Sequence, residues 1–320
     1  MKILVLGLGF IATHIAEYFS SKAEVIVTYR NLNPIKKVYL ELLASKGVNS
    51  VKLDPISNTT ELRKIIKDSD VIINCIGEIS GDVNKLRISN FEIPKLIANI
   101  IKEIGNKKII LFHLSASTYG ITGSVKLEEP LGYGLKPSNE FERTKLEGEK
   151  VVYSIAKESG FSAVILRPTL VYGKYAAHIQ YVNIYKLAKR GIIPLLHFRF
   201  QPISAKYIAM LIEKFIESRE KTVLIHTYVT ECELIDLVDM IEAYSDALNV
   251  KRRLKIPIPK RLALLALPKE IRSLLKYEGT IYDCSKVTEL LGSIKFDKSE
   301  LYSNAKFLKE LDERGILVPT

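Results

Sequence analysis

The chain has 320 residues, a length that predicts two domains and a sizeable buried core, since one domain accounts for roughly 150 residues. Hydrophobic residues make up 47% and charged residues 26% of the chain, and this balance excludes an intrinsically disordered protein, a collagen-like repeat and a coiled coil. The net charge of +11 favours anionic partners, which include phosphate-bearing substrates, nucleic acids and acidic membrane surfaces.

Short β-rich runs recur along the first half of the chain, separated by segments long enough for helices. These predicted strands are Lys2 to Leu6, Glu24 to Tyr29, Ser50 to Leu53, Asp70 to Ile76, Lys107 to Leu114 and Ser162 to Leu166. Helical spacing is found over Phe10 to Ser20, Asn84 to Ile104 and Asn139 to Glu158. The alternation predicts an α/β fold, a doubly wound parallel sheet that binds its ligands beyond the carboxyl ends of the strands.

After Gly173 the pattern loosens into helical stretches near 178–190, 204–218 and 231–247, followed by a proline-containing segment and two more helices. We predict a dinucleotide-binding domain over residues 1–172, to which residues 200–228 return. Residues 173–199 and 229–320 would then form a smaller, mostly helical substrate domain.

The sequence carries no clear signal for targeting or metal binding. No apolar run reaches the roughly 18 residues of a membrane span, and we expect neither a transmembrane helix nor a signal peptide. Cys75, Cys232 and Cys284 form no Cys-x-x-Cys pair, so we expect a cytoplasmic protein in a reducing compartment rather than a disulfide framework. The five histidines lack metal-ligand spacing, and we predict no metal site.

A glycine-rich turn, Gly7-Leu8-Gly9-Phe10-Ile11-Ala12, follows the first predicted strand and opens the first helix. Glycines permit the tight turn and let the N–H groups of the helix N-terminus approach a pyrophosphate. The motif predicts a dinucleotide site, and the alternative is a purely structural turn.

The end of the second strand indicates which dinucleotide is preferred. A carboxylate normally stands there, roughly 20 residues after the glycines, to bond the ribose 2′-hydroxyl. This chain has Tyr29-Arg30-Asn31 instead. Arg30 is able to pair with a 2′-phosphate, which predicts NADP in preference to NAD, unless it is an ordinary solvated arginine.

Further motifs follow the later strands. Asp54 stands after the third strand, Asn74-Cys75-Ile76-Gly77 closes the fourth, and Asn90 lies in the next helix. Ser115-Ala116-Ser117-Thr118-Tyr119-Gly120 follows the fifth strand, and Arg167-Pro168-Thr169-Leu170-Val171-Tyr172-Gly173 follows the sixth.

Taken with Gly9-Phe10-Ile11-Ala12, these motifs resemble the extended, or atypical, short-chain dehydrogenase/reductase family of NAD-dependent epimerases and dehydratases, although Lys206 stands where that family usually has an aspartate. The resemblance implies a Rossmann-type sheet, a nicotinamide cofactor and a small-molecule substrate such as a nucleotide-linked sugar. It assigns cofactor binding to the matching positions. These are Gly7, Gly9, Phe10, Ile11, Ala12, Tyr29, Arg30, Asn31, Asp54, Cys75, Ile76, Gly77, Asn90, Lys145, Arg167 and Pro168.

The resemblance also implies catalysis by a serine, a tyrosine and a lysine, in which the lysine lowers the pKa of the phenol for proton exchange with the substrate. Ser115 and Lys145 occupy two of these positions, but Phe141 stands where the tyrosine belongs. Tyr153, with Lys157, matches the bare Tyr-x-x-x-Lys pattern further along the same predicted helix, and we interpret it as coincidental.

Two functions follow. In the first, the protein is an NADP-dependent oxidoreductase or epimerase in which Tyr119, Tyr133 or Glu78 substitutes for the missing acid. In the second, it is a non-catalytic structural or regulatory subunit that resembles the NADPH-holding accessory subunit of respiratory complex I. The sequence leaves a homo-oligomer open in both.

Residues 251–276 hold nine lysines and arginines against one acid, Glu270, which leaves eight of the eleven net positive charges in this segment. Apolar residues lie between them, so the segment is either a docking surface for a membrane or a protein, or a helix of the substrate domain with a solvated basic face. Nucleic acid is disfavoured because no recognised binding module accompanies the charge.

Overall fold

The computed structural model describes residues 1–117, 125–126, 136–218, 224–259, 275 and 277–317, with residues 125–126 described by their backbone alone. Elements are numbered along the chain. None of the helices in these ranges is long and apolar enough to cross a membrane.

The centre of the molecule is a seven-stranded parallel sheet with the strand order β12-β7-β5-β4-β1-β2-β3. Its strands are β1 (Lys2–Leu6), β2 (Glu24–Tyr29), β3 (Asn49–Lys52), β4 (Val71–Asn74), β5 (Ile110–Leu114), β7 (Ser162–Pro168) and β12 (Leu224–Val229). From β1 the sheet grows through β2 and β3 on one side and through β4 on the other, so the connection reverses direction between β1 and β4. Ligands of doubly wound sheets bind at such a switch point.

Helices cover both faces of the sheet, which explains why its strands are apolar on both sides. In β1, Ile3 and Val5 belong to one hydrophobic cluster, and Leu4 and Leu6 to the other. The first cluster includes residues of α1 (Phe10–Phe19), α2 (Pro34–Ser45) and α8 (Ala205–Glu217). The second includes residues of α3 (Thr59–Lys67), α5 (Ile93–Ile104) and α6 (Glu140–Ser159). The predicted α/β, doubly wound architecture is therefore confirmed.

The single helix predicted over 84–104 is divided. It consists of α4 (Val83–Arg87), a π-helical turn (Ile88–Glu92) and α5. The remaining elements are β6 (Val125–Lys126), β8 (Leu170–Tyr172), α7 (Ile179–Lys189), β9 (Ile192–Leu195), β10 (Arg199–Phe200), β11 (Pro202–Ser204), β13 (Ile235–Asp236), α9 (Leu237–Ala247), β14 (Leu254–Pro257), β15 (Ile281–Tyr282), α10 (Ser285–Leu291) and α11 (Lys298–Glu313).

The later elements form short strand pairs beside the sheet. They pair as β8 with β11, β9 with β14, β10 with β13, and β6 with β15. β12 returns from this region to the central sheet beside β7. The two-domain division with its boundaries stays a prediction.

The cysteine spacing favoured a reducing compartment over a disulfide framework, but the structure contains a disulfide. Cys232 and Cys284 form a disulfide with their Cα atoms 5.5 Å apart, and Cys75 stays free. The two cysteines are 52 residues apart in the chain, and the fold brings the end of β12 next to the start of α10. Spacing along the sequence did not show this approach.

Residues 260–274 and 276 of the basic segment lie outside the described residues. In the described portion, Arg253 pairs with Asp246 at 2.6 Å and Lys255 with Glu242 at 2.7 Å. These two basic residues are therefore paired with acids of α9, and the docking surface stays a prediction.

Candidate cofactor and catalytic site

The glycine turn lies at the switch point of the sheet. Gly7 has φ +96°, and its N–H donates to Thr28 Oγ1 at 3.1 Å. A Cβ at this position would also lie 3.1 Å from the Ile76 side chain, so both the backbone conformation and the space favour glycine. The turn therefore packs directly against the segment that follows β4.

Gly9 precedes α1 in extended conformation, and no side chain caps this helix end in the described part of the chain. A Cβ on Gly9 would meet nothing within 4 Å, which shows open space in front of the helix N-terminus. Phe10 and Ala12 are buried beneath it and Ile11 is half-buried, so the backbone N–H groups are what this turn offers to a ligand. An uncapped helix N-terminus facing open space fits the pyrophosphate of a dinucleotide.

A group of cations lies beyond the carboxyl end of β2. Tyr29 is half-buried, whereas Arg30 and Asn31 are exposed. Lys36, in the first turn of α2, was not predicted from the sequence. The pKa of Lys36 is lowered mainly by burial and further by the nearby cations Arg30 and Lys85, against the opposing effect of Glu78.

Lys85 pairs with Glu78 at 3.2 Å, whereas neither Arg30 nor Lys36 forms an ion pair within the described ranges. Glu78 is the acid near these three cations, Arg30, Lys36 and Lys85, and the excess of positive charge favours an anionic ligand. The sequence signal that would have identified Lys36 is its position in the first turn of α2, the helix that begins four residues after Arg30.

Asp54 stands two residues beyond β3 and is half-buried. Its Oδ1 accepts a hydrogen bond from the backbone N–H of Ile56 at 3.0 Å, and Asn58 Oδ1 accepts one from the Asp54 N–H at 3.1 Å. These bonds hold the carboxylate at the carboxyl edge of the sheet, on the outermost strand beside β2.

Hydrogen bonds of Asn74, which also contacts His113, stabilise the fourth-strand motif. Asn74 is buried, its Oδ1 accepts from the Ile76 N–H at 3.1 Å, and its Nδ2 lies 3.1 Å from His113 Nδ1. Burial lowers the pKa of His113 to about 3, so its imidazole is neutral. Cys75 and Ile76 are half-buried next to the glycine turn, and burial raises the pKa of the Cys75 thiol to about 12.

Lys145 reaches across to Gly77. A Cβ on Gly77 would lie 2.3 Å from Lys145 Nζ, and this ammonium donates to the Leu114 carbonyl at 3.4 Å. Burial lowers the pKa of Lys145 to about 8, although Glu149, Cys75 and Glu78 oppose the shift. Ser115, which follows Leu114, is buried, and its N–H donates to the Leu166 carbonyl at 2.8 Å. The structure thus brings Lys145 to the start of the Ser115 turn.

Phe141 lies on the same helix as Lys145, four residues earlier, and residues at this spacing share one helix face. It is half-buried, and a benzyl side chain has no atom that exchanges a proton. The site therefore has its serine and lysine but no phenol at this position.

Asn90 acts as a clamp between two parts of the site. Its side chain is completely buried; Oδ1 accepts from the Glu78 N–H, and Nδ2 donates to the Glu78 carbonyl, both at 2.9 Å. Nδ2 also donates to Thr144 Oγ1 at 3.2 Å. A Cβ on Gly148 would lie 2.1 Å from the Asn90 carbonyl oxygen, which shows how closely α6 approaches the π-helical turn. These contacts indicate that Asn90 positions the loop, and its predicted contact with the cofactor stays a prediction.

Arg167 is packed in the same way, and its predicted role in cofactor binding also stays a prediction. It is completely buried, and its guanidinium bonds the Glu149 carboxylate through Nη2 at 2.8 Å and through Nε at 3.1 and 3.2 Å. The Tyr228 ring lies 5.5 Å from the guanidinium carbon, and Pro168 is buried beside it. Because Glu149 is one turn beyond Lys145, the pair anchors α6 to β7.

Of the three substitute acids predicted from the sequence, Tyr119 and Tyr133 lie outside the described residues. Glu78 is at the site, held by Asn90 and close enough to influence Lys145.

Two phenols were missed. Tyr277 donates to Glu142, the neighbour of Phe141, and Tyr282 hydrogen-bonds with Ser117. Burial raises the pKa of Tyr282 to about 12, which makes it a proton donor rather than a base at neutral pH. Both follow the basic segment, far in sequence from the recognised motifs.

The open helix end fits the pyrophosphate of a dinucleotide. The cations beyond β2 fit a phosphate on its adenosine, and the Lys145 ammonium fits its nicotinamide ribose. Among the residues that the structure describes, no three His, Cys, Asp or Glu side chains group closely enough to hold a metal ion.

The sequence profile of the NAD dependent epimerase/dehydratase family matches residues 3–257. The chain belongs to this family. A curated relative is the mitochondrial NADH dehydrogenase [ubiquinone] 1 alpha subcomplex subunit 9 of Mus musculus, which is 24% identical over 222 residues. This match covers 67% of the present chain and 51% of the mouse protein, so the family member spans about half the length of that relative.

The solved structures with similar folds include UDP-glucuronic acid 4-epimerase from Bacillus cereus in complex with NAD. That chain is 20% identical with a TM-score of 0.76, and 98% of each chain is covered. A tyrosine-to-phenylalanine mutant of the epimerase from Bacillus cereus, in complex with UDP-4-deoxy-4-fluoro-glucuronic acid and NAD, is 18% identical with a TM-score of 0.72. The match covers 97% of this family member and 100% of the mutant. At these identities the likeness shows the shared fold.

Proposed function

We propose that this family member binds NADP in preference to NAD and takes a nucleotide-linked sugar, or a similar small molecule, into an oxidoreductase or epimerase site with an altered catalytic centre. The observation that carries the proposal is on α6. Lys145 lies against Gly77 and reaches the start of the Ser115 turn, while Phe141 replaces the phenol that would complete the centre.

The preference for NADP is supported by the cations beyond β2. Arg30 would donate charge-assisted hydrogen bonds to a 2′-phosphate, and Lys36 would add a second positive charge. No carboxylate follows β2 within Tyr29-Arg30-Asn31 to repel that phosphate.

The substrate class is supported by the fold shared with the Bacillus cereus epimerase. Its tyrosine-to-phenylalanine mutant is in complex with a UDP-linked sugar and NAD. By analogy, a protein of this fold is able to hold both ligands after one tyrosine has been replaced by phenylalanine.

A bound nicotinamide would supply the hydride acceptor or donor. On the protein side, Lys145, with its pKa of about 8, carries its proton at neutral pH and offers an ammonium to ribose hydroxyls. Ser115 lies on the turn that Lys145 reaches and offers a hydroxyl. Phe141 contributes no proton transfer, which removes an effect worth roughly 10²- to 10⁴-fold in rate unless Glu78, Tyr119, Tyr133 or Tyr282 supplies it.

A second function, a non-catalytic NADPH-binding structural or regulatory subunit, is favoured by Phe141 and by the match to the mouse NADH dehydrogenase subunit. The cofactor features fit this function equally well. The two proposals differ only in whether the site catalyses a reaction although Phe141 carries no phenol.

The decisive substitution is Phe141→Tyr, which adds a single oxygen. With NADPH and generic carbonyl substrates, the natural protein should turn over at background, Phe141→Tyr should gain turnover, and a further Lys145→Ala should remove the gain. Brisk turnover by the natural protein would contradict an inactive centre, and replacing Glu78, Tyr119, Tyr133 and Tyr282 in turn would identify the acid. Absence of a gain, with NADPH still bound, would favour the subunit.

The location and the remaining partners are proposals that rest on the sequence. We propose a cytoplasmic protein without nucleic acid as a partner. For residues 251–276 both a helix with a solvated basic face and a docking surface for a membrane or a protein stay open, as does a homo-oligomer. In the cytoplasm, disulfides are typically transient and redox-sensing or catalytic, which bears on the Cys232–Cys284 pair.

A further inference from the structure

The Cys232–Cys284 disulfide is at the surface. Cys232, three residues beyond β12, is exposed, and Cys284, which precedes α10, is half-buried. An exposed disulfide is accessible to a thiol reductant, whereas a buried structural one is protected.

The chain immediately before Cys284 lies against the candidate site. We call residues 277–284 the strap. At one end, Tyr277 donates from its phenol to Glu142, a completely buried carboxylate next to Phe141. Glu142 also accepts from the Ser138 N–H at 2.6 Å. The strap is therefore connected to the first turn of the helix that carries Phe141.

At its other end the strap contacts the serine turn. Tyr282 hydrogen-bonds with Ser117, and its ring centre lies 5.3 Å from that of Tyr228, the ring beside Arg167. β15, within the strap, pairs in parallel with β6. The strap thus contacts the segment after β5 and the start of α6, the two elements that carry the catalytic positions.

Hydrogen bonds from Gln201 link the same two segments as the disulfide. Gln201 is buried; its Nε2 donates to the carbonyls of Glu231 at 2.5 Å and Tyr282 at 3.1 Å, and its Oε1 accepts from the Tyr282 N–H at 2.7 Å. Glu231 directly precedes Cys232, and Tyr282 stands two residues before Cys284. The amide and the disulfide therefore join the same two backbone segments, one by hydrogen bonds and one covalently.

A covalent tie limits the conformations that the strap reaches when its hydrogen bonds break. Without it, the strap has more conformations to lose when it is ordered, and its contacts must offset this larger entropy cost. The disulfide is thus placed to determine how firmly the strap is held on the site.

We propose that the Cys232–Cys284 disulfide is a redox latch for the strap, so that reduction loosens the strap and lowers affinity for the substrate. A dithiol reductant transfers two electrons and two protons to the S–S bond, which becomes the two thiols of Cys232 and Cys284, while the dithiol closes to its own disulfide. The effect on substrate binding rests on the proposed function; the movement of the strap does not.

Hydrogen exchange measured by mass spectrometry tests the latch in the full-length protein. Thiol counting should find one free thiol, Cys75, before dithiothreitol and three afterwards. Reduction should increase exchange in residues 277–291 and 140–146 while leaving residues 49–67, in β3 and α3, unchanged. Cys232→Ser and Cys284→Ser should exchange like the reduced protein and should not respond to dithiothreitol. Equal exchange of the strap in the oxidised and reduced natural protein would overturn the latch, whatever the variants do.

Titration of UDP-glucuronic acid in the presence of saturating NADPH is the second measurement. We expect at least threefold weaker binding after reduction, and equal binding would overturn the regulation of the site. If neither form binds this probe while exchange still responds to reduction, the latch is supported and the proposed substrate class fails.

Discussion

Lys145 and Gly77 share so little space that a methyl group on Gly77 would lie 2.3 Å from the lysine Nζ. The contact joins the end of the fourth-strand motif to the second turn of α6 and places the buried ammonium beside the Ser115 turn. The position of Lys145 therefore leaves no room for a side chain at position 77, and this favours glycine whatever the conformation of the turn.

Gly77→Ala should therefore displace Lys145 and weaken NADPH binding while changing stability little, since the displaced atom is the end of a flexible side chain. Loss of a charged hydrogen bond corresponds to about 1.5–3 kcal/mol. Isothermal titration measures the loss, and a thermal melt checks the fold. In a double-mutant cycle, Gly77→Ala should cost almost nothing further in a Lys145→Ala background; additive losses would contradict displacement of the lysine as the cause.

Lys145 predicts a specific pH dependence of stability. Its pKa is lowered to about 8 in the folded state, below its value in the unfolded chain, so the unfolded state binds more protons between these values. The cost of burying the ammonium is thus complete below pH 8 and decreases as pH rises toward the unfolded value of about 10.4. A Lys145→Met variant should be more stable than the natural protein at pH 7, by up to roughly 3 kcal/mol since one pKa unit corresponds to about 1.4 kcal/mol.

Urea denaturation at pH 7 and pH 9.5 measures this difference, which should shrink at the higher pH. A difference independent of pH would show that Lys145 titrates normally. Lys150→Met, at an exposed position on the same helix, is the control and should show no such trend.

The cations beyond β2 predict cofactor preference. NADPH should bind more tightly than NADH, and Arg30→Ala should weaken NADPH alone by about 1.5–3 kcal/mol if the bond is buried in the complex. Lys36→Ala should weaken NADPH in the same direction, whereas Lys37→Ala, an exposed neighbour, should not. Fluorescence titration with both dinucleotides is sufficient, and equal affinities would remove Arg30 and Lys36 from the phosphate site.

The buried pair Arg167–Glu149 predicts a large effect on stability. Removing one partner leaves an uncompensated buried charge, so Arg167→Met or Glu149→Leu should each cost about 3–5 kcal/mol. The double variant should recover much of this loss, since an apolar pair of similar volume is often nearly neutral. Chemical denaturation provides the four stabilities; a double variant as unstable as the sum of the singles would contradict the pairing as the source.

The order of strands and helices in the first half of the chain was predictable because it depends on local patterns. The bounds of Lys2–Leu6 and Glu24–Tyr29 were predicted to the residue. Each strand is an apolar run bounded by polar residues, and this pattern is contained in a few neighbouring residues. Phe141 in the tyrosine position was equally visible, because its distance to Lys145 is a helical spacing.

The side chains that contact each other across the fold were decided only by tertiary structure. Asn90 and Arg167 match cofactor motifs in sequence, yet their partners, Glu78 with Thr144 and Glu149, lie on other elements and bury them completely. Lys36 approaches Arg30 because α2 begins at the end of β2, and Cys232 meets Cys284 across 52 residues because β12 returns to the sheet. Sequence patterns report the environment along one element, whereas burial and pairing depend on which elements meet. The sequence therefore determined the fold and predicted the position of the site, and the packing of α6, the strap and the switch point of the sheet decided which side chains meet there.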